Sequence, residues 1–299
     1  MERAMVDCLV IGAGPAGLLA AIYLARYRRA VLVIDAGDSR ASKIPETHNY
    51  PGFFGIGGLE LLRRLRAQAV QYGAQLVTGR VTALQKSGDG FVALYSEGEV
   101  SARFVLLASG LIDRSPVIEG VPDNGLSTAI RYCPICDGYE AVDRRVGIVG
   151  SLKDGAKKAL FLRTYTRKVS LFLTEAADED VSSRQMLTEE GVIIAGLVRE
   201  IRVGPQSTVT AETQSGDRYE LDVLYPALGS LVRSELAIDL GAACTKGGTL
   251  LVDDHQRTTV QGLYAAGDVV TDLHQLSVAF GHAAIAATDI HNQLHANPR

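Results

Sequence analysis

The chain has 299 residues, enough for two domains of ordinary size, and its 47% hydrophobic and 21% charged residues are those of a folded globular protein. A net charge of −4 provides no basic footprint, which excludes nucleic acid as an expected partner. No low-complexity tract occurs, and the one short acidic run is Asp178-Glu179-Asp180.

From Cys8 to Ala25 the chain carries no charge, a length close to that of a membrane span or signal peptide. Gly12, Gly14, Pro15 and Gly17 break that stretch into strand, turn and helix, so it reads as a buried unit of an α/β fold with no transmembrane segment. No other stretch resembles an export or anchor signal, and the expected location is the cytoplasm. The strand covers 6–11, the helix 18–27 and a second strand 30–34, ending at Asp35. Gly12-Ala13-Gly14-Pro15-Ala16-Gly17 is thus a dinucleotide fingerprint in its required setting. Gly12 permits the tight turn, Gly14 lets a pyrophosphate approach the backbone, and Gly17 lets helix and strand pack closely. The helix N-terminus offers its unpaired N–H groups to phosphate, and Asp35 is placed to accept hydrogen bonds from a ribose.

Tyr132-Cys133-Pro134-Ile135-Cys136-Asp137-Gly138 is the most specific feature. Pro134 suits the first position of a helix, which makes Cys133 its cap and puts Cys136 in its first turn. A helix end favours thiolate over thiol, and the spacing lets one sulfur attack while the other resolves a mixed disulfide. Asp137 is placed as a general acid or base for thiol protons; its plain alternative is to accept backbone hydrogen bonds. A structural zinc site needs a second ligand pair, which the sequence lacks, so no metal is expected. Cys8 and Cys244 lie far apart in apolar surroundings and read as core hydrophobes.

Val146-Gly147-Ile148-Val149-Gly150 leads through Ser151-Leu152-Lys153-Asp154-Gly155 to a helix over 156–162, and 169–173 reads as the next strand. Near the end, Gly262-Leu263-Tyr264-Ala265-Ala266-Gly267-Asp268 is a short strand closing in Gly-Asp, and a long apolar helix covers 276–294. Together with the N-terminal fingerprint, this ending resembles the segment that closes the FAD site of two-dinucleotide-binding flavoproteins.

The order of these parts, with His48-Asn49-Tyr50-Pro51-Gly52, Ala108-Ser109-Gly110 and His274-Gln275-Leu276 between and after them, resembles the low-molecular-weight thioredoxin reductases from end to end. The resemblance implies an α/β fold of two Rossmann-like three-layer domains, the second inserted in the first, and a homodimer. It implies an FAD-binding domain over 1–114 and 229–299 and a redox-active domain over 115–228. Cys136 would be the flavin-facing sulfur, Cys133 the one that meets a dithiol or disulfide partner, and Asp137 the proton donor. FAD contacts would come from Gly12, Gly14, Pro15, Ala16, Gly17, Asp35, Ala36, His48, Asn49, Val81, Ser109, Gly110, Gly267, Asp268, His274, Gln275 and Leu276.

The chain departs from that family at its second nucleotide loop. Leu152 stands where the middle glycine would meet a pyrophosphate, and its side chain is expected to obstruct the approach. In place of the arginines that take the 2′-phosphate of NADPH stand Thr174, Glu175 and the acidic run through Asp180, which would repel it. NADPH is disfavoured on both counts; NADH less so, since Glu175 suits a ribose hydroxyl. A degraded site of this kind leaves open a nucleotide in a shifted pose, a second flavin in place of NAD(P)H, or a domain that only carries the Cys pair. Other activities open to the sequence are an ordinary NAD(P)H-dependent thioredoxin reductase, a non-catalytic flavin and thiol redox sensor, and an NADH oxidase.

Overall fold

A computed structural model describes residues 5–119, 128–176, 180–204 and 207–297. The chain divides into two compact units, one of Met1–Ile44, Ile56–Ile112 and Leu231–Arg299, the other of Pro45–Gly55 and Asp113–Ser230.

The first unit opens with β1 (Val6–Ile11), α1 (Pro15–Arg26) and β2 (Val31–Asp35). Short apolar runs of this kind belong in the middle of a parallel sheet covered on both faces, and β2 is buried along its whole length. Pro15 starts α1 at the position where its missing N–H costs nothing. The helix stops in a Schellman-type turn: Arg28 adopts φ 63°, its N–H reaches Ala25 O, and the N–H of Arg29 reaches Leu24 O. Next come α2 (Gly58–Gln71), β3 (Gln75–Thr78), β4 (Val81–Ser87), β5 (Gly90–Tyr95) and β6 (Gly98–Leu107). The sheet order is β3-β2-β1-β6-β5-β4. The long strand β6 runs antiparallel to β5 along its first half and parallel to β1 along its second, where it also takes a further parallel strand from near the end of the chain.

The chain passes through β7 (Leu111–Asp113) to α3 (Pro134–Asp137), β8 (Val146–Gly150), α4 (Leu152–Leu162), β9 (Val169–Leu173), α5 (Val181–Glu189) and β10 (Ile193–Val203). Then follow β11 (Val209–Thr213), β12 (Arg218–Leu221) and β13 (Val223–Ala227). The second sheet runs β12-β11-β10-β9-β8-β13 and repeats the plan of the first: parallel strands flanked by an antiparallel meander. The two sheets together are a mixed α/β architecture of two Rossmann-like units. The strand β14 (Ser230–Val232) pairs with β7 in a two-stranded sheet. The chain ends with α6 (Glu235–Ile238), β15 (Leu263–Ala265) parallel to β6, and α7 (Leu276–Gln293), which packs along α1. No helix among the described residues is long and apolar enough to cross a membrane.

Helix α4 corrects the expectation of a helix over 156–162. It begins at Leu152, because Ser151 caps it by accepting the N–H of Asp154 at 3.2 Å. Leu152, expected to stand in a phosphate loop, is 6% exposed and packs into the core of this unit with Ile148, Leu171 and Tyr225.

Candidate cofactor cradle and redox turn

In the first unit the fingerprint turn is held by close backbone approach. Gly12 adopts φ 101°, and a Cβ there would lie 2.5 Å from Ala108 O. A Cβ on Gly17 would lie 1.9 Å from Gly12 O. Gly14 differs: its Cβ would meet only Ser39 Oγ, at 3.3 Å. The polypeptide itself therefore gives little reason for a glycine at 14, and the space left is a cradle for a ligand group lying against the backbone. Gly267 (φ 84°) brings the Gly-Asp turn onto the start of α1, with a Cβ position 3.0 Å from Ala16 Cβ. The N-terminal fingerprint and the C-terminal Gly-Asp pair thus line one place in the fold. Pro15, Gly267 and Asp268 belong to it, and Gln275, the N-cap of α7, and Leu276, its first residue, begin the helix that packs on α1.

Asp35 is buried and more occupied than its expected ribose role. Its Oδ1 accepts the N–H of Ala13 at 3.0 Å, and its Oδ2 pairs with Arg66 of α2. Asp268 pairs with Arg40 at 3.3 Å. Ser109 Oγ donates to Arg233 O at 2.5 Å, next to Gly110 at the end of β6, and the guanidinium of Arg233 takes both oxygens of Asp38. Hydrogen bonds from Arg233 and Arg80 hold the Asp38 carboxyl below the usual range despite its partial burial, which opposes them. Ala36 is exposed, Val81 is buried at the start of β4, and His274 is half-buried ahead of α7.

In the second unit Cys133 and Cys136 form a disulfide with Cα atoms 5.3 Å apart. Cys133 is the N-cap of α3, as Pro134 implies, and the N–H of Cys136 returns to Cys133 O at 2.9 Å. The helix is one turn long, so its dipole adds little to the cysteine chemistry. Asp137 follows directly. Tyr225 of β13 donates its hydroxyl to Asp137 Oδ1 at 2.8 Å, with the backbone O of Asp137 at 3.2 Å, and Arg131 donates to that same backbone O at 3.0 Å. Burial pushes the Asp137 carboxyl up to about 6, helped by nearby Glu140 and opposed by Tyr225, Arg131 and Lys158. Burial, with the charge of Asp137, also drives the Tyr225 hydroxyl upward, so it stays a donor.

His48 and Asn49, expected among FAD contacts, each have one described partner on or beside the redox turn and another in their own segment, Glu46 for His48 and Thr47 for Asn49. Asn49 Nδ2 donates to Ile135 O at 3.5 Å. His48 Nδ1 lies 3.2 Å from Glu140 Oε1 and its Nε2 3.3 Å from Glu46 Oε2. The other Glu140 oxygen is buried without a hydrogen-bond partner among the described residues.

At the second nucleotide loop the obstruction is not the one expected from Leu152, whose side chain turns into the core. The N-terminus of α4 is instead occupied by its own cap: Ser151 Oγ accepts from the N–H of Asp154 and donates to Asp154 Oδ2 at 3.2 Å. The helix start thus carries a carboxylate in its first turn, and one of its N–H groups is already taken by Ser151. Gly155 lies close against β9, with a Cβ position 2.4 Å from Leu171 Cδ1. Past β9, Thr174 and Glu175 are exposed and Asp180 caps α5 through the N–H of Ser183; Asp178 and Glu179 lie outside the described residues.

Comparison with known proteins decides the family. Residues 6–286 match the pyridine nucleotide-disulphide oxidoreductases. The chain belongs to this family. It is 30% identical to a thioredoxin reductase of Mycolicibacterium smegmatis, covering 94% of both chains, and 26% identical to that of Bacillus subtilis, covering 97% of this chain and 95% of that one. Among solved structures it superposes on HlmI with TM-score 0.89 at 28% identity, over 98% of this chain and 93% of that one. On the thioredoxin reductase of Streptococcus pyogenes the TM-score is 0.88 at 26% identity, over 97% and 98%. It is a thioredoxin reductase-like oxidoreductase acting on a sulfur group, and FAD is the cofactor that the family implies. The open Gly14 cradle, where among the described residues a Cβ would meet Ser39 alone, fits that cofactor.

Sequence reading missed Tyr225, Arg131, Lys158 and Glu140 around Asp137, and Arg40, Arg66 and Arg233 around the cradle. A lone tyrosine in an apolar strand looks like any core residue, and surface-type arginines carry no positional signal.

Proposed function

We propose that the chain is an FAD-dependent disulfide oxidoreductase whose Cys133–Cys136 pair exchanges electrons with a dithiol, on a protein or a small molecule, and that electrons enter through this pair rather than from NADPH. The observation that supports the second part is the self-capped start of α4, where Ser151 Oγ takes the N–H of Asp154 and the Asp154 carboxylate, hydrogen-bonded to Ser151, brings negative charge to the helix end a pyrophosphate would approach. The same cap weighs against a second flavin at that loop. Residues 1–114 and 229–299 are read as the FAD part and 115–228 as the redox part. The fingerprint glycines, Asp35, Ser109, Gly110, Asp268 and the 274–276 segment are read as the cofactor's contacts.

In this reading Asp137 takes the proton of an incoming thiol. The resulting thiolate attacks Cys133 Sγ; the Cys133–Cys136 bond breaks and Cys136 leaves as thiolate. The partner's second thiol, giving up its proton, attacks its own sulfur in the mixed disulfide and releases Cys133. The partner is oxidised to a disulfide, the pair is reduced to a dithiol, and the two protons remain with Asp137 and the cysteines. When bound, FAD supplies the two-electron acceptor that returns the pair to its oxidised form. The alternative reading is an ordinary NAD(P)H-dependent thioredoxin reductase.

Anaerobic mixing separates the two. Holoprotein mixed with dithiothreitol should lose its flavin absorbance, and NADPH or NADH should leave it unchanged. Rapid bleaching by NADPH would overturn the reading of α4.

A further inference from the structure

Tyr225 lies in the middle of β13, paired with β8, and is fully buried in the core that α4 covers. A tyrosine there is larger than the alternating small and branched residues around it, and its hydroxyl must find a partner. The partner is Asp137, at 2.8 Å from Oδ1, so the residue following the redox pair is tethered to β13, the last strand of its sheet. The ring is wedged by the core, which fixes the donor while α3 itself is a single turn with no buried residue.

We propose that Tyr225 is a positioning residue for Asp137: its hydroxyl holds the carboxylate in place and thereby governs the pH at which the group can take a proton from an incoming thiol. The inference rests on the reading of Asp137 as the proton-exchanging group. Four groups act on Asp137, from every element packed against it. Tyr225 comes from β13, Lys158 from α4, Arg131 from the segment before α3, and Glu140, with His48 behind it, from the turn after α3. Lys158 and Arg131 favour the carboxylate and Glu140 disfavours it, while Nζ of Lys158 is spent on the backbone oxygens of Tyr132 and Pro226. Among the described residues Tyr225 is the side chain shown donating a hydrogen bond to the carboxylate. Removing that donor favours the protonated form, so proton uptake from a thiol requires higher pH.

The test is the pH dependence of flavin bleaching by dithiothreitol in holoprotein, anaerobically, for the wild type, Y225F, E140Q and D137N. Phenylalanine keeps the ring and its packing. Wild type should show a rate that rises with pH and levels off. Y225F should reach a similar plateau with its midpoint moved up by about one pH unit, the effect of losing one hydrogen bond to a charged group. E140Q should move the midpoint down. A Y225F midpoint equal to that of wild type overturns the proposal, whatever happens to the plateau, since a merely structural role would lower the rate at all pH values alike. A D137N profile identical to wild type would instead overturn the reading of Asp137 on which the proposal rests.

Discussion

Replacing Gly17 by alanine tests how the cofactor cradle is built. The added Cβ would lie 1.9 Å from Gly12 O and 3.2 Å from Val10 Cγ1. Gly12 cannot retreat, because its own Cβ position is already 2.5 Å from Ala108 O and its N–H is held by Ile34 O at 2.8 Å. Helix α1 must therefore move away from the turn by about 1.5–2 Å to restore ordinary contact distance. Overpacking of this kind costs about 1–3 kcal/mol, and the same displacement misplaces the N–H groups meant for phosphate. G17A should melt at lower temperature and lose FAD affinity at least tenfold. Gly14 supplies the contrast: its Cβ meets only Ser39 Oγ, so G14A should leave the melting temperature of the apoprotein nearly unchanged and weaken FAD alone. The assays are thermal unfolding of the apoprotein and titration of it with FAD followed by flavin fluorescence. Equal losses of apoprotein stability in G14A and G17A, or full FAD affinity in G14A, would refute the reasoning.

Three further outcomes follow from the same geometry. Asp137 binds its proton more tightly folded than unfolded, since its carboxyl is raised from 3.8 to about 6; its contribution to stability is therefore full below pH 3.8 and declines as pH rises to 6. D137N should on that account stabilise the protein above pH 6, by about 2–3 kcal/mol in denaturant unfolding, and a destabilised D137N would contradict it. His291 is the opposite case: burial and the neighbouring Arg29 lower its pKa, and its Nδ1 accepts from Arg29 at 3.0 Å. The folded state binds its proton less tightly, so the stability it confers is present above about pH 6.5, the unfolded value, and is lost as pH falls below that; H291N should flatten the fall in melting temperature between pH 7 and 5.5. The homodimer implied by the resemblance predicts light scattering at twice the 31.9 kDa chain mass, and a monomer at working concentration would count against it.

The parallel framework was legible because its signals are local and redundant. Apolar runs, glycines and a terminal acid agree over 6–35, and Pro134 in the middle of Cys-x-x-Cys announces both the cap and the turn. Helix α4 was misjudged at its start for a physical reason. Assigning Leu152 to a phosphate loop makes Ser151 and Asp154 loop residues, although Ser-x-x-Asp ahead of an apolar run also has the form of a capping box. The proposal that this loop grips phosphate poorly therefore rests on the cap and no longer on a leucine wall. The surroundings of Asp137 were illegible because they are assembled from β13, α4 and the segments on both sides of α3. The sequence brings Tyr225 no closer to Asp137 than any other residue 88 positions away. His48 and Asn49 show the same limit, since their partners Glu140 and Ile135 are set by tertiary structure.

The central claim is that electrons reach the flavin through Cys133–Cys136. The direct measurement is stopped-flow reduction of FAD-loaded C136S by dithiothreitol, anaerobically, beside wild type. Wild type should bleach, and C136S, which has no disulfide to accept the electrons, should retain its flavin colour while dithionite still removes it. Bleaching of C136S by the dithiol at the wild-type rate would contradict the account.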